Sequence, residues 1–289
     1  MTTVHSPTAG RRRLRNTLRR ARAEAGLTQE QVAAAMDWSL SKVIRIESGM
    51  VSISTNDLRQ LLQYYHIEDP QRVAELVELA RISRRRPWWT RYKDAFPPEY
   101  ISYVGLEDES IAIRCYSPTG MPGLLQTEEF ARAAAAASSL RTFEPSPSLP
   151  PPDLVAQVRM LRQEHVLQRE HPPELTVVLD ESVIRRQIGG PEVLKRQLLH
   201  LIRLSAAPNV SLRVLPFNAT FVSMMSYFVI LEFEDPADPA VVYAEGAFEQ
   251  HVIEGSVMER HQRMFERLRE AALSEADSVA LIARVAREL

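Results

Sequence analysis

Cysteine is nearly absent from this sequence, since Cys115 is the one cysteine among 289 residues. A single cysteine excludes an internal disulfide and a thiolate-rich metal site, and it fits a reducing cytoplasm. Long apolar runs are missing too, because no stretch approaches the ~18–20 residues that a membrane span needs. The arginine-rich residues 11–13 lead into an amphipathic segment and not into the apolar core of a signal peptide. The sequence therefore predicts a cytoplasmic protein without a membrane span.

The motifs of common catalytic and cofactor sites are also missing. The chain contains neither G-x-x-x-x-G-K-[ST] nor G-x-G-x-x-G, so it lacks the glycines of phosphate-binding loops. It has no H-E-x-x-H, and the spacing of His165 and His171 does not indicate a helical zinc site. Asp180 and Glu181 form a carboxylate pair at a strand end, where either acid–base chemistry or capping of the next helix would use them. We interpret the pair as structural and expect no cofactor, no metal site and no enzyme activity.

Charge is distributed unevenly along the chain, although the net charge is only −2. Residues 1–93 carry 17 Lys and Arg against 9 Asp and Glu, a net of +8. Residues 94–289 carry 18 against 28, a net of −10. A basic N-terminal part on an acidic body is typical of a DNA-binding domain joined to a domain that does not bind DNA.

Residues 28–49 have the pattern of two short helices joined by a tight turn. Thr28 is a good N-cap, and Gln31 three residues later completes a capping box. Ser39 is placed to cap the second helix, and Gly49 ends it where a left-handed residue costs least. This pattern predicts a helix-turn-helix, in which a supporting helix carries a second helix into the major groove of DNA.

The second helix has an outer face suited to DNA. The exposed positions at helical spacing are Ser41, Ile44, Arg45 and Ser48, with Lys42 beside them. Arg45 either reads a base or is simply solvated, and Lys42 suits a phosphate better than a base edge. Ile44 either contacts a thymine methyl or is only an exposed apolar residue.

The segment LRRARAEAGLTQEQVAAAMDWSLSKVIRIESG, residues 18–49, resembles the phage repressor and Cro type of helix-turn-helix found in many bacterial regulators. The resemblance implies a buried ion pair between Arg22 and Glu47 that ties the first helix of the domain to the recognition helix. The segment departs from that family at Ile44, where a small polar residue is usual. The candidates for phosphate contacts are Thr28, Gln29 and Ser39. The candidates for reading base edges are Ser41, Lys42, Ile44 and Arg45.

Composition predicts four parts of the chain. Residues 1–10 are expected to be a disordered tail, and residues 11–83 a helix-turn-helix DNA-binding domain of helices alone. Residues 84–100 are an aromatic connector, in which the aromatic side chains either pack on the second domain or sandwich a nucleic-acid base. Residues 101–289 are expected to be an α+β domain.

The predicted secondary structure of the last part combines helices with one sheet. Residues 103–137 have the pattern of helix, turn, helix. Four runs rich in β-branched and aromatic residues predict strands, namely 174–181, 210–217, 225–234 and 240–248. The last three runs follow one another through short connections, so we expect a mostly antiparallel sheet.

Several separated motifs of the second half occur together. They are Trp88-Trp89, Leu106-Glu107, residues 122–128 (PGLLQTE), residues 159–163, Leu179-Asp180-Glu181, Gly189-Gly190 and residues 214–217 (VLPF). In this order they resemble the regulatory domain of actinobacterial WhiJ-like, antitoxin-like transcription factors. The sequence departs from that family at residues 218–225, which replace its usual Gly and His-Pro-like segment. The resemblance implies that the C-terminal domain dimerises and receives a signal, often from a small protein encoded by the neighbouring gene.

Two functions are consistent with these patterns. The first is a dimeric, sequence-specific transcriptional regulator that binds repeated or palindromic half-sites in double-stranded DNA, is associated with the nucleoid, and responds to a small protein partner. The second is a regulator that senses a small molecule in a pocket between the sheet and its helices. For that pocket the candidate lining residues are Val214, Phe217, Phe228, Ile230 and Phe233, each of which is alternatively a plain core residue.

Overall fold

A computed structural model describes residues 7–47, 51–84, 87–139, 150–220, 226–234, 238–245, 250–253 and 257–289. The chain divides into two compact units. The first comprises residues 1–90 and 235–238, and the second comprises residues 91–234 and 239–289.

The N-terminal unit is built from helices in the part that the structure describes. They are α1 (Pro7–Glu24), α2 (Gln29–Ala35), α3 (Leu40–Glu47), α4 (Thr55–Tyr64) and α5 (Pro70–Ile82). Each amphipathic helix turns its apolar stripe inward. Leu18, Val32 and Leu58 are almost fully buried in the shared core, as are Leu62 and Leu76.

The first helix begins earlier than the sequence pattern indicates. Residues 7–10, predicted to be disordered, belong to the start of α1, and residues 1–6 lie outside the described part of the chain. Gly10 packs closely on α5, since a Cβ atom added there would lie 3.3 Å from the carbonyl oxygen of Leu79. This close helix contact is a tertiary interaction, and local helix propensity gives no sign of it.

The C-terminal unit combines helices on two sides with one sheet. Its helices are α6 (Pro98–Glu109), α7 (Glu128–Ser139), α8 (Pro152–Leu167), α9 (Glu181–Arg185), α10 (Pro191–Leu204), α11 (Val257–Ala271) and α12 (Glu275–Glu288). Its strands are β1 (Ala112–Ser117), β2 (Glu174–Asp180), β3 (Val210–Leu215), β4 (Tyr227–Glu232), β5 (Val241–Glu245) and β6 (Gln250–Ile253). The predicted α+β class is therefore correct for this part.

The sheet is mixed, and the prediction of a mostly antiparallel sheet is wrong. Its order is β3-β2-β1-β4-β5-β6. Strands β1, β2 and β3 are parallel neighbours, whereas β4, β5 and β6 continue the sheet in antiparallel pairs. Strand β3 pairs with β2 and not with β4, because α10 supplies the long connection that parallel neighbours need.

Strand β1 was missed because it lies within a stretch predicted to be helical. Its residues are buried on both faces, so the period-two alternation of a half-exposed strand is absent. Ser110 ends α6, and the chain then enters the centre of the sheet. The predicted strand 240–248 corresponds to β5, which ends at Glu245, and β6, which starts at Gln250, was not predicted.

Apolar side chains fill both faces of the sheet. Cys115, Val177 and Leu231 point into one core, which α10 and α12 help to cover. Tyr116 and Phe228 point into the other, which α11 covers with residues such as Phe265 and Leu268. Because successive side chains of a strand point to opposite faces, one sheet holds both cores together.

Candidate functional site

The turn between α2 and α3 fixes the helix pair that was predicted to meet DNA. Asp37 has φ of 54° and follows the C-cap of α2. The Trp38 N–H donates to the carbonyl of Ala33 at 2.9 Å, and the Asp37 N–H donates to that of Ala34 at 3.3 Å. This is a Schellman ending, which satisfies free carbonyls of α2 and turns the chain sharply into α3.

The start of each helix carries a side-chain cap. In α2, the Gln31 N–H donates to the Thr28 hydroxyl at 3.2 Å, and the Thr28 N–H donates to Gln31 Oε1 at 2.8 Å. In α3, the Lys42 N–H donates to the Ser39 hydroxyl at 3.2 Å. Thr28 and Ser39 are exposed at helix N-termini, where free N–H groups and the helix dipole favour an anion such as phosphate.

A three-residue polar cluster ties α3 to α1 and α2. Arg22 donates from Nε to Glu47 Oε1 at 2.7 Å and from Nη2 to Oε2 at 3.2 Å. Gln29 donates from its amide to Glu47 Oε2 at 2.7 Å. The bond to Glu47 raises the pKa of Arg22, and Glu47 itself is only 4% exposed. The sequence indicated the ion pair through resemblance, but the contact of Gln29 with Glu47 was not predicted.

The recognition helix presents its outer face to solvent. Val43 and Ile46 are buried in the core of the unit, which sets the rotation of α3 about its axis. Ser41 and Arg45 are exposed, and the Ile44 side chain is 43% exposed. The three outer positions therefore share one accessible face of the helix. Ser48 and Gly49, which completed the sequence pattern, lie outside the described residues.

Lys42 differs from the other candidate base readers. Its ammonium group lies 3.1 Å from Asp57 Oδ2 and 3.9 Å from the centre of the Trp38 ring. A cation held by a carboxylate and an aromatic face gives up part of both interactions if it moves to DNA. Neither partner of Lys42 was predicted from the sequence.

The carboxylate pair Asp180 and Glu181 has structural partners. Asp180 caps α9 by accepting from the Ser182 N–H at 2.9 Å. Glu181 binds Arg185 Nε at 2.7 Å and accepts from the Phe217 N–H at 2.8 Å. The two side chains therefore orient the chain at the end of β2.

A cavity of about 940 Å³ lies within the C-terminal unit. Its wall includes the segment 117–123 and residues of α6, α7, α8, β4 and β5. The residues predicted to line a ligand pocket are not in this wall. Val214, Phe228 and Ile230 are core side chains, Phe233 packs against the core, and the Phe217 side chain is 64% exposed. Four of the five residues therefore belong to the core or pack against it, which is the other interpretation that the sequence left open for them.

Two family models match the chain. A model for a helix-turn-helix domain matches residues 13–76. These residues contain the capped helix pair and its polar cluster, so the protein is a DNA-binding regulator of the helix-turn-helix type. A second model, a domain of unknown function (DUF5753), matches residues 100–284, and the chain belongs to this family. No curated protein matches the chain. No solved structure matches it either.

Within the described part of the chain, no helix has the length and apolar character needed to cross a membrane.

Proposed function

We propose that this protein is a dimeric, sequence-specific transcriptional regulator in which α3 reads base edges in the major groove. Each protomer presents one recognition helix, and the two helices enter grooves at half-sites about one helical turn, ~10 bp, apart or a multiple of it. Ser41, Ile44 and Arg45 contact bases. Thr28, Gln29 and Ser39 contact phosphates, and Lys42 takes either role after leaving Asp57.

One observation carries the proposal. The outer face of α3 is exposed while its inner face, its first turn and its last residue are all held by the rest of the unit. Base recognition needs this preorganisation, because side chains on a rigid helix lose less freedom when they bind. The +8 charge of residues 1–93 supports the phosphate contacts that supply most of the affinity for DNA.

The test of this function uses selection followed by measurement. Purified protein selects duplexes from a random library, and fluorescence anisotropy then compares the selected duplex with a shuffled one at several salt concentrations. We expect tighter binding to the selected duplex by at least ~10³, the lower end for specific recognition. Equal affinity for both duplexes would refute sequence-specific regulation. Sedimentation analysis with and without DNA tests the dimer separately.

We further propose that the acidic C-terminal unit receives its signal from a small, cationic protein encoded by the neighbouring gene. The resemblance to WhiJ-like, antitoxin-like regulators supports this partner, and the −10 charge of residues 94–289 is complementary to a basic surface. Co-purification of the two proteins, followed by DNA binding of the complex, tests it. Independent behaviour of the two proteins at micromolar concentration would refute this partner. The proposal assigns no catalytic role to the chain and associates it with the nucleoid.

A small-molecule signal is the second candidate function. The cavity of about 940 Å³ in the C-terminal unit favours it, because pockets for small ligands have volumes of about 300–1,000 Å³. In this reading the unit binds a metabolite, and the occupied protein has a different affinity for its operator. The measurement is operator affinity with and without ligand.

A further inference from the structure

The cavity of the C-terminal unit has an aromatic wall. Tyr103 and Tyr243 stack with ring centres 4.0 Å apart and planes 15° from parallel. Tyr100 lies next to Tyr103 at 6.3 Å, and all three rings belong to the cavity lining. Met121 and Phe130 add apolar surface. A wall of this kind accepts the flat face of a ring, through offset stacking and the burial of apolar area.

Two arginines beside this wall, the buried Arg162 and the half-buried Arg159, differ in how they are neutralised. Arg162 donates from Nε and Nη2 to both oxygens of Glu107 at 2.7 Å, and its Nη1 donates to the Tyr100 hydroxyl at 3.0 Å. Arg159, one turn earlier on α8, donates from Nη1 to Gln126 Oε1 at 2.8 Å and to the Ala131 carbonyl at 3.3 Å. Both acceptors of Arg159 are neutral. Among the described residues, no carboxylate lies within ion-pair distance of Arg159, and Glu245 attracts it only from farther away.

The positive charge of Arg159 is therefore only partly neutralised by its surroundings. Burial lowers the pKa of its guanidinium, because removing a cation from water disfavours the charged form. Its Nε and Nη2 groups have no hydrogen-bond acceptor within the described residues. A half-buried guanidinium with unused donors at a cavity is suited to bind an anionic group, because hydrogen bonds between charged groups are strong.

Among the described residues of the lining, positive charges outnumber negative ones. Three arginines line the cavity there, Arg159, Arg162 and Arg186, together with the carboxylate of Glu245. Glu107 neutralises Arg162 from behind, so the wall keeps a net positive charge inside a strongly acidic half of the chain. This is the reverse of what composition alone predicts for this unit.

A second unsatisfied group lies in the same wall. The Tyr243 hydroxyl is buried and has no hydrogen-bond partner among the described residues. Tyr243 itself is 1% exposed. A buried hydroxyl without a partner is destabilising, and a bound ligand that offers an acceptor removes that penalty.

From these observations we propose that the cavity binds an organic anion. The ligand has one carboxylate, sulfonate or phosphate group on a ring-containing, mainly apolar body. The Arg159 guanidinium binds the anionic group, and the wall of Tyr100, Tyr103 and Tyr243 packs against the ring. The backbone of Gly123 packs closely against the Arg162 guanidinium, because an added Cβ would lie 3.0 Å from Nη1. Binding of the anion is independent of the proposed functions. Only its role as a signal rests on the second candidate function, small-molecule sensing.

The test uses the full chain and 8-anilinonaphthalene-1-sulfonate, a fluorescent aromatic anion. Titration gives its Kd, and competition compares 2-naphthoate and 2-naphthyl phosphate with the neutral 2-naphthol. We expect both anions to displace the probe at concentrations at least tenfold lower than 2-naphthol. Inorganic phosphate alone is expected not to displace it, because it has no ring to pack on the tyrosines.

Variants separate the charge from the shape of the cavity. Arg159→Gln is expected to weaken probe binding by roughly 10- to 100-fold, the loss expected for a charge-assisted hydrogen bond, and Arg159→Lys to restore part of it. Gly120→Leu is expected to block the cavity for every ring compound, since the space around Gly120 is open within 4 Å. Arg263→Gln removes one exposed arginine from α11 and serves as the charge-matched control. Thermal melting checks that each variant is folded.

The outcomes separate the site from its function. Wild-type protein that does not bind the probe, an Arg159→Gln Kd within twofold of wild type, or equal competition by 2-naphthol would each overturn the site. A folded Gly120→Leu variant that binds normally would overturn its location. Operator affinity is then measured with 2-naphthoate. A site that binds while operator affinity stays constant would refute small-molecule sensing and leave both the site and DNA binding intact.

Discussion

The amide of Gln29 and the guanidinium of Arg22 bind the same carboxylate, that of Glu47, with closest distances of 2.7 Å each. Glu47 is the last residue of the recognition helix, whereas Gln29 starts α2 and Arg22 ends the amphipathic stretch of α1. One buried carboxylate therefore joins the three helices that position the DNA-reading face. Substitutions of Arg22 and of the exposed Arg45 therefore test stability and DNA recognition separately.

Replacing Arg22 tests the contribution of the cluster to stability. Arg22→Met leaves the buried Glu47 carboxylate with the neutral Gln29 amide and no cationic partner, so we expect a loss of about 3–5 kcal/mol in the unfolding free energy of the N-terminal unit. Hydrogen exchange of peptides from α1 to α3 measures it. The control Arg72→Met breaks an exposed pair with Glu75, which is expected to cost less than ~1 kcal/mol. Equal exchange in the two variants would contradict a structural role for the cluster.

The face of α3 predicts a sequence-specific effect for Arg45. Arg45→Ala is expected to weaken binding to the selected duplex by about 1–3 kcal/mol and to relax the preference at one base position. Repeating the selection with the variant measures both quantities. Arg81→Ala, at the end of α5, is the matched control for loss of one exposed arginine. An equal loss on shuffled DNA would show that Arg45 contacts only phosphate.

Gln29 is expected to act on all DNA sequences alike. Its amide has a second N–H besides the one directed to Glu47, and it lies at the N-terminus of α2, where phosphate is favoured. Gln29→Ala should therefore lower affinity for selected and shuffled duplexes by the same factor. Anisotropy with both duplexes measures this, with Gln71→Ala on α5 as the control. A changed consensus after selection would contradict the assignment to phosphate.

Much of the N-terminal unit was predictable because its signals are local. The capping box of Thr28 and Gln31, the cap at Ser39 and the apolar spacing of Val43 and Ile46 each involve residues within one or two turns. The contact of Gln29 with Glu47 joins residues 18 apart in the chain, and no periodic pattern marks it. It depends on how α2 crosses α3, which only the packed core decides.

The C-terminal unit was less predictable for two physical reasons. Strand β1 is buried on both faces, so Ile113 and Tyr116 show no alternation with polar residues. Strand order depends on long connections, so nothing local shows that β3 pairs with β2. The cavity was not predictable for the same reason. Arg159 and Gln126 are 33 residues apart and meet only when α8 packs beside the segment after β1. Its cationic wall is also hidden by the acidic average of the surrounding sequence.

Breaking the ion pair of Lys42 and Asp57 is expected to increase the affinity for DNA. Asp57→Asn releases the Lys42 ammonium and removes a negative charge near the DNA-reading face, while the amide keeps the size of the side chain. We expect tighter binding to shuffled DNA and a salt dependence steeper by about one phosphate contact. Anisotropy at several salt concentrations measures the slope. Glu75→Gln on α5 removes the same charge elsewhere, so a similar gain in that variant would contradict a specific role for Lys42.

The buried position of Cys115 in β1 predicts slow alkylation of its thiol in the folded protein. Burial raises the pKa of its thiol to about 12, above the ordinary value of 9, and its side chain is 3% exposed. Because the thiolate is the reactive form, we expect native protein at pH 8 to resist iodoacetamide, whereas protein unfolded in urea reacts fully. Mass spectrometry of the intact chain counts the single adduct. The raised folded pKa also means that the contribution of Cys115 to stability is complete below pH 9 and is lost as the pH rises towards 12. Rapid labelling of folded protein at pH 8 would contradict the buried position of β1.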